Sequence, residues 1–291
     1  MVNSTFKKAV TILASVACLA SLTACGAAAA SESSSATNSN GDEVRTIQAV
    51  TGGTPAPYTL KNTDNKPDGQ NIELVQEVFK RLPQYKLEIS FAEFKGIFPG
   101  LDSGRYQIAV NNFAKTPERE QKYIFSTPMY KNEYVAVVSE QSGIKNIDSL
   151  SDLAGKTTIT SADGSNVQLA LQKYNQANPD NTIKLEYNSA DQVNQLQQVK
   201  DGKVDFSILD APTVRYYEKK IGLKLNTVEL SDKVDEELQN QNYSYLVFPK
   251  GEEKLRDDVN KALQEIIKDG TSKKIDEKWF GADQTPDPDA K

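Results

Sequence analysis

The sequence predicts an α/β protein with two halves, each built on a mainly parallel sheet. Short apolar strands alternate with amphipathic helices from residue 45 onward, which is the pattern of strand-helix-strand units. The length of 291 residues exceeds what one compact domain usually needs and suits two. A composition of 38% hydrophobic and 25% charged residues is typical of globular chains and argues against a multi-span membrane protein.

The individual elements follow from hydrophobic periodicity. Ile72, Val75, Val78, Phe79 and Leu82 recur at helical spacing, whereas Leu87, Ile89 and Phe91 alternate as a strand does. The predicted strands are residues 46–50, 87–91, 107–111, 135–138, 157–160, 183–187, 204–209 and 243–248. The predicted helices are residues 72–82, 98–103, 166–178, 193–199, 255–267 and 273–280, with a further helix opened by Thr116-Pro117. We expect Trp279 to fill the core.

The N-terminus has the features of a secretory signal. Lys7 and Lys8 precede an apolar run over residues 9–22, which is shorter than the ~20 apolar residues that cross a bilayer. The run ends in Leu22-Thr23-Ala24-Cys25, which resembles the lipobox of bacterial lipoproteins. That resemblance implies cleavage before Cys25 and lipid on its sulfur.

These features predict where the protein is found. We expect residues 1–24 to be a signal peptide and residues 25–41, which are small and polar, to be a flexible tether. The lipid anchor, a diacylglycerol with palmitate-type acyl chains on the Cys25 sulfur, would hold the protein at the extracytoplasmic face of a cell membrane.

The composition also argues against several functions. Histidine is absent, which removes the Ser-His-Asp and Cys-His nucleophile systems and the usual zinc ligand sets. The net charge of -6, without a basic run, argues against a nucleic-acid partner. These absences argue against most hydrolase chemistry, and we expect no catalytic residues, metal or cofactor.

Five short stretches follow one another in a characteristic order. They are FKGIFPGLDSGRY at 94–106, TPER at 116–119, FSTPMY at 125–130, DGKVD at 201–205, and DG followed by EKWFG within 269–281. Together, over residues 46–281, they resemble the polar-amino-acid family of extracytoplasmic solute-binding proteins that feed ABC importers. The resemblance implies a two-lobe, periplasmic-binding-protein-like fold whose lobes are joined by two crossing strands and close on the ligand.

Mapped onto this chain, the family architecture predicts domain boundaries. Lobe 1 would comprise residues 42–132 and 243–283, lobe 2 residues 133–242, and a tail residues 284–291. We expect a monomer that binds a small amino acid in the cleft and passes it to the permease of an ABC importer.

The chemistry of a free amino acid points to two charged residues. A zwitterion needs a fixed cation for its carboxylate and a fixed anion for its ammonium group. Arg119 suits the carboxylate, because its planar fork binds both oxygens. Asp210 follows the strand 204–209, and open α/β sheets bind ligands at the carboxyl ends of strands. The resemblance assigns the same two roles to these residues. Two plainer interpretations stay open: Arg119 as a surface residue and Asp210 as a helix cap.

The resemblance implies further contacts around this pair. Phe94 matches the aromatic residue that covers the ligand in lobe 1. Asn112 and Ala114 match positions whose backbone groups help bind the carboxylate, and Ala114 lacks the hydroxyl that the family often has there. Ser165 and Asn166 match a turn that opens a helix and donates to the ligand carboxylate from lobe 2.

The ligand is predicted from two observations. Residues 51–54 and 80–85 resemble the cystine-binding branch, and no charged cluster in the mapped pocket accompanies Arg119 and Asp210. We expect a neutral polar ligand, with cystine first and glutamine second. Two other classes stay open: a dehydratase-like enzyme on the same fold, with Asp163 or Asp210 as a general acid, and a surface adhesin.

Overall fold

The computed structural model describes residues 44–160, 165–187, 192–238, 243–287 and 290. The predicted signal peptide, the predicted tether, Cys25 and residues 161–164 lie outside the described residues. No helix within them combines the length and the apolar character needed to cross a membrane.

The described chain alternates strands with helices, as the periodicity predicts. Its strands are β1 (Arg45–Thr51), β2 (Leu60–Lys61), β3 (Pro67–Asp68), β4 (Tyr85–Phe91), β5 (Ile108–Phe113), β6 (Tyr123–Phe125), β7 (Tyr130–Lys131), β8 (Tyr134–Val138), β9 (Thr157–Thr160), β10 (Lys184–Tyr187), β11 (Phe206–Asp210), β12 (Asn226–Glu229) and β13 (Tyr243–Pro249). Its α-helices are α1 (Gln70–Lys80), α2 (Phe94–Asp102), α3 (Pro117–Lys122), α4 (Asn166–Ala177), α5 (Gln192–Lys200), α6 (Ala211–Ile221), α7 (Asp232–Glu237), α8 (Glu253–Lys268) and α9 (Thr271–Phe280).

The first sheet defines lobe 1. Its strand order is β4-β1-β5-β13-β6, and β7 also pairs with β13. One hydrophobic core joins this sheet to α1, α8 and α9, and a second core lies under α2. Trp279 packs against the first core while its indole N–H donates to Glu73 Oε2 at 2.7 Å, so this residue seals the margin of the core.

The second sheet defines lobe 2. Its strand order is β10-β9-β11-β8-β12, and it comprises strands between Tyr134 and Glu229. Strands β10, β9 and β11 are parallel, as β4, β1 and β5 are in lobe 1. By contrast, β8 and β13 are antiparallel to their neighbours. The sheets are therefore mixed, because these two strands continue from the other lobe instead of following a crossover helix of their own sheet.

Two adjacent segments connect the lobes. The chain leaves lobe 1 through β7 and enters β8 after Asn132 and Glu133, and it re-enters lobe 1 at β13. Strands β7 and β13 pair side by side, with Tyr130 opposite Ser244. Ser244 Oγ donates to Asn132 Oδ1 at 2.8 Å, so a side-chain hydrogen bond reinforces the pair at the lobe boundary.

Some elements differ from the predicted ones, either because they have no predicted counterpart or because their bounds differ. Strand β12 is largely exposed, and its polar sequence lacks the alternation of a half-buried strand. Helix α2 begins at Phe94, four residues before the predicted start at residue 98, and carries Pro99 in its interior. The apolar signal is weak only at β12. In α2, Phe94, Ile97, Phe98 and Leu101 recur at helical spacing, so the pattern itself reaches back to Phe94.

Candidate functional site

A cavity of about 430 Å³ lies between the two lobes. Strand ends and helix starts from both sheets line it, as expected where open α/β sheets bind ligands. Its lining residues are Thr54, Pro55, Phe94, Asn111, Asn112, Phe113 and Arg119 from lobe 1, and Tyr134, Thr158, Ile159, Thr160, Ser165, Asn166, Val167, Leu171, Gln192, Gln195, Ser207, Ile208, Leu209 and Asp210 from lobe 2.

Arg119 is held in the wall of lobe 1 by groups near it in sequence. Thr116 caps α3, because its side chain accepts a hydrogen bond from the Arg119 backbone N–H at 3.2 Å. The guanidinium Nη1 donates to the Ala114 carbonyl at 2.9 Å, and the group lies over the rings of Phe98 and Phe113 at 5.1 and 5.7 Å. The hydrogen bond and the two ring contacts therefore fix the direction of the Arg119 guanidinium.

The Arg119 guanidinium is also poorly solvated. Burial lowers its pKa from the ordinary value, and it forms no ion pair with a carboxylate among the described residues. A desolvated cation without a counter-ion favours an incoming anion. The burial of Arg119 and its lack of an ion pair among the described residues therefore favour a ligand-binding role over that of an ordinary surface residue.

Three neighbours of Arg119 on β5 and after it have different roles. Asn112 lines the cavity, as the resemblance implies. Ala114 is 2% exposed and is not among the lining residues, and its carbonyl oxygen orients Arg119. Asn111 accepts hydrogen bonds from Thr51 Oγ1 and the Gly52 N–H at 2.9 Å and donates to the Thr54 carbonyl at 2.8 Å. Asn111 thus shapes the turn after β1.

Phe94 forms an aromatic part of the wall of lobe 1. It is the first residue of α2 and packs on Phe113 with ring centroids 5.9 Å apart. Because Phe113 also underlies Arg119, the aromatic residue and the cation share one support.

Helix α4 presents its N-terminus to the cavity from lobe 2. Ser165 is its N-cap and accepts from the Gln168 N–H at 3.4 Å, and Asn166 is its first residue. Both residues line the cavity. The unpaired backbone N–H groups at a helix start favour a carboxylate, which fits the predicted role of this turn.

Asp210 lies at the carboxyl end of β11 on the opposite side of the cavity from the wall that carries Arg119. It occupies the N-cap position of α6, but its side chain makes no capping hydrogen bond. It is 8% exposed, and its Oδ1 atom has no hydrogen-bond partner among the described residues. Burial raises the pKa of Asp210 to about 7. A buried carboxyl with one oxygen atom that lacks a partner in the described chain is suited to accept an ammonium group.

Tyr134 is a lining residue that the sequence did not single out. It stands directly opposite Asp210 in the antiparallel pairing of β8 with β11. Burial raises the pKa of its hydroxyl well above the ordinary value, and Asp210 raises it further. No local pattern marks Tyr134, since only the strand register brings it beside Asp210. Thr160 and Gln192 were missed as well, although a strand end and a helix start are signals that could have indicated them.

The cavity is balanced in charge. Among its described lining residues, Arg119 is the one cation and Asp210 the one carboxylate, and the other polar groups are hydroxyls and amides. The arrangement can hold one carboxylate and one ammonium group at opposite walls. It thus matches the two ends of an α-amino acid.

The burial of Asp210 predicts a pH-dependent stability. In the unfolded chain this carboxyl ionises near pH 4, whereas in the ligand-free fold it resists ionisation up to about pH 7, so stability falls as pH rises through that window. Asp210→Asn should therefore raise the free energy of unfolding at pH 8 by about 2–4 kcal/mol. Urea denaturation followed by circular dichroism measures this.

The control is the same comparison below pH 4, where both forms of residue 210 are neutral and the difference should vanish. Comparing the variant with the wild type also removes the contribution of Asp276, whose pKa burial raises to about 7. A difference that is the same at pH 4 and pH 8 would contradict this prediction.

The chain resembles known proteins over almost its whole described length. A family model of bacterial extracellular solute-binding proteins, family 3, matches residues 47–282. The L-cystine-binding protein TcyK of Bacillus subtilis (strain 168) is 34% identical over 265 residues, which covers 90% of this chain and 92% of TcyK.

Solved structures agree in fold. A structure from work on glutathione import via GshT and the cystine ABC importer TcyBC of Streptococcus mutans has a TM-score of 0.74 at 34% identity and covers 84% of this chain and 98% of that chain. A putative L-cystine ABC transporter structure from Listeria monocytogenes has a TM-score of 0.69 at 32% identity and covers 84% of this chain and 99% of that one. The predicted two-lobe α/β fold is confirmed. This chain belongs to family 3 of the bacterial extracellular solute-binding proteins.

Proposed function

We propose that the protein is a lipid-anchored, monomeric binding protein that captures free L-cystine outside the cell and delivers it to an ABC importer. The observation that carries the proposal is the pair of buried charges, Arg119 and Asp210, which face one cavity from opposite lobes without counter-ions among the described residues. Arg119, with the start of α4, binds the ligand carboxylate, and Asp210 binds the ammonium group.

The remaining lining supports a ligand with a second polar end. Beyond the charged pair, lobe 2 lines the cavity with hydroxyls and amides, among them those of Asn166, Gln192 and Ser207. Cystine joins two amino-acid halves through a disulfide, so its second half needs hydrogen-bonding groups of this kind. Several similar proteins are named for L-cystine binding, which supports the same ligand.

Net charge distinguishes L-cystine from glutathione, the peptide whose import one related structural study names. Cystine carries equal numbers of carboxylates and ammonium groups, whereas glutathione carries one carboxylate more than its ammonium. The described part of the lining, with one cation and one carboxylate, matches the neutral ligand. Glutamine is also neutral, but it leaves the second polar region of the cavity unused.

The proposed role involves no chemical conversion of the ligand. Of the two carboxyls considered for a dehydratase-like reaction, Asp210 is committed to the ammonium group, and Asp163 lies outside the described residues. L-Cystine that has been incubated with the protein should be recovered chemically unchanged.

Replacement of Arg119 tests the carboxylate site. Arg119→Ala should weaken L-cystine binding by roughly 2–5 kcal/mol, about thirtyfold to several thousandfold, because it leaves a desolvated carboxylate unpaired. Arg119→Lys should restore this loss only in part, since a point charge cannot replace the fork. Calorimetric titration with L-cystine, glutamine and glutathione measures both the site and the ligand preference.

Matched controls make that experiment specific. Arg105→Ala removes an exposed arginine of the same lobe and should leave the affinity unchanged. Asp210→Asn should weaken the binding of L-cystine. By contrast, 3,3′-dithiodipropionic acid, which is cystine without its amino groups, should bind weakly to both the wild type and Asp210→Asn. Affinities for L-cystine within about threefold across folded wild type, Arg119→Ala and Asp210→Asn would refute this site.

Binding should also close the lobes. One zwitterion that bridges Arg119 and Asp210 has contacts in the closed state that the open state lacks, so ligand shifts the population toward closure. Small-angle scattering should show a smaller radius of gyration with saturating L-cystine. A radius that stays the same at full occupancy would contradict closure.

The proposed anchor is tested at Cys25. Replacement by Ala removes the acylated sulfur, so the variant should appear in the medium or remain unprocessed. Immunoblots of membrane and medium fractions measure this, with Cys18→Ala as the control that should stay on the membrane. Retention of processed Cys25→Ala on the membrane would show that another feature anchors the chain.

A further inference from the structure

We propose that the hydroxyl of Tyr58, which belongs to lobe 1, positions the Asp210 carboxylate of lobe 2 for the ligand ammonium. The inference rests on the proposed function in assigning the ammonium group to Asp210. Tyr58 is not among the residues that line the cavity, so its role is to act through Asp210.

The backbone around the two residues meets across the lobe boundary. Thr213 Oγ1, three residues after Asp210, donates to the carbonyl of Ala56 at 2.9 Å. The segment that contains Ala56 and Tyr58 is itself fixed, because the Asn71 N–H donates to the Tyr58 carbonyl at 2.9 Å. The start of α6 therefore docks on the turn that carries Tyr58.

Both side chains carry a polar atom that lacks a partner. The Tyr58 side chain is 0% exposed, and its hydroxyl oxygen makes no hydrogen bond among the described residues; the same is true of Asp210 Oδ1. Unsatisfied buried polar atoms are rare and costly. Here one is a donor and the other an acceptor, on segments already docked together. A small approach of the lobes pairs them without breaking another hydrogen bond of either atom.

The electrostatic surroundings agree with this pairing. The Tyr58 hydroxyl lowers the pKa of Asp210 against the larger effect of burial, and Asp210 in turn raises the pKa of Tyr58. The other titratable groups that face Asp210 are the hydroxyls of Tyr130 on β7 and Tyr134 on β8, and Arg119 on α3 faces Tyr134. A hydroxyl that donates to a carboxylate favours its charged form, which is the form an ammonium group needs.

The ring of Tyr58 is held rigidly enough for such a role. It stacks on Tyr130 with centroids 5.3 Å apart and packs against Phe280 at 5.0 Å. The hydroxyl is thus presented from a fixed ring and costs little conformational entropy when it bonds.

The matched variants are Tyr58→Phe and Tyr130→Phe. Each keeps its ring in the same aromatic cluster and removes one buried hydroxyl that has no partner among the described residues. The readouts are the affinity for L-cystine between pH 6 and pH 9 by calorimetry, and the titration of the Asp210 carboxyl in the ligand-free protein by carbon-13 NMR, assigned with Asp210→Asn.

We expect Tyr58→Phe to weaken L-cystine binding about tenfold at pH 7 and to move the Asp210 titration upward by about one pH unit. The loss of affinity should shrink as the pH rises above 7, because the ionised fraction of Asp210 then increases in both proteins. Tyr130→Phe should change the affinity by less than about threefold and leave the titration in place. A role confined to packing would move neither readout.

The inference is overturned if folded Tyr58→Phe titrates and binds like the wild type. If that variant does not fold, Thr213→Val serves instead: it loosens the docking onto Ala56 and should shift both readouts in the same direction, and wild-type values would overturn the inference. Unchanged L-cystine binding by Asp210→Asn would instead refute the proposed function, while the NMR titration still tests the Tyr58 contact.

Discussion

The desolvation of two opposite charges governs this molecule. Arg119 and Asp210 are removed from water on facing walls of one cavity, and neither has a counter-ion among the described residues. Their burial costs free energy that a ligand with both a carboxylate and an ammonium group recovers. In the function proposed above, selection of a zwitterion and closure of the lobes both follow from this electrostatic condition.

The scaffold around the cavity serves to keep these charges in place. Several groups hold the lining side chains in place: Asn111 fixes the turn after β1, Thr116 caps α3, and the Ala114 carbonyl directs Arg119. Phe113 lies beneath both Phe94 and Arg119. The geometry of the site is therefore set before ligand arrives, which lowers the cost of ordering it.

The boundary between the lobes contains both regular hydrogen bonding and buried polar atoms that lack a partner within the described chain. Strands β7 and β13 pair, and Ser244 bonds to Asn132, so the connection is regular there. Nearby, the Tyr58 hydroxyl and Asp210 Oδ1 are buried without partners among the described residues. Such local conflicts concentrate at functional sites, where stability is given up for binding.

The sequence by itself determined the order of strands and helices and the two-lobe family fold, and it indicated the two residues that we propose hold a zwitterion. These follow from local periodicity and from short motifs, which neighbouring residues encode. Only the tertiary structure decided that Ala114 turns its carbonyl to Arg119, that Asn111 bonds to the turn after β1, and that Tyr134 lies beside Asp210. The hydrogen bond between Thr213 and Ala56 joins residues 157 positions apart, and no local sequence pattern predicts it. Such contacts arise from strand register and lobe docking, which depend on packing of the whole chain.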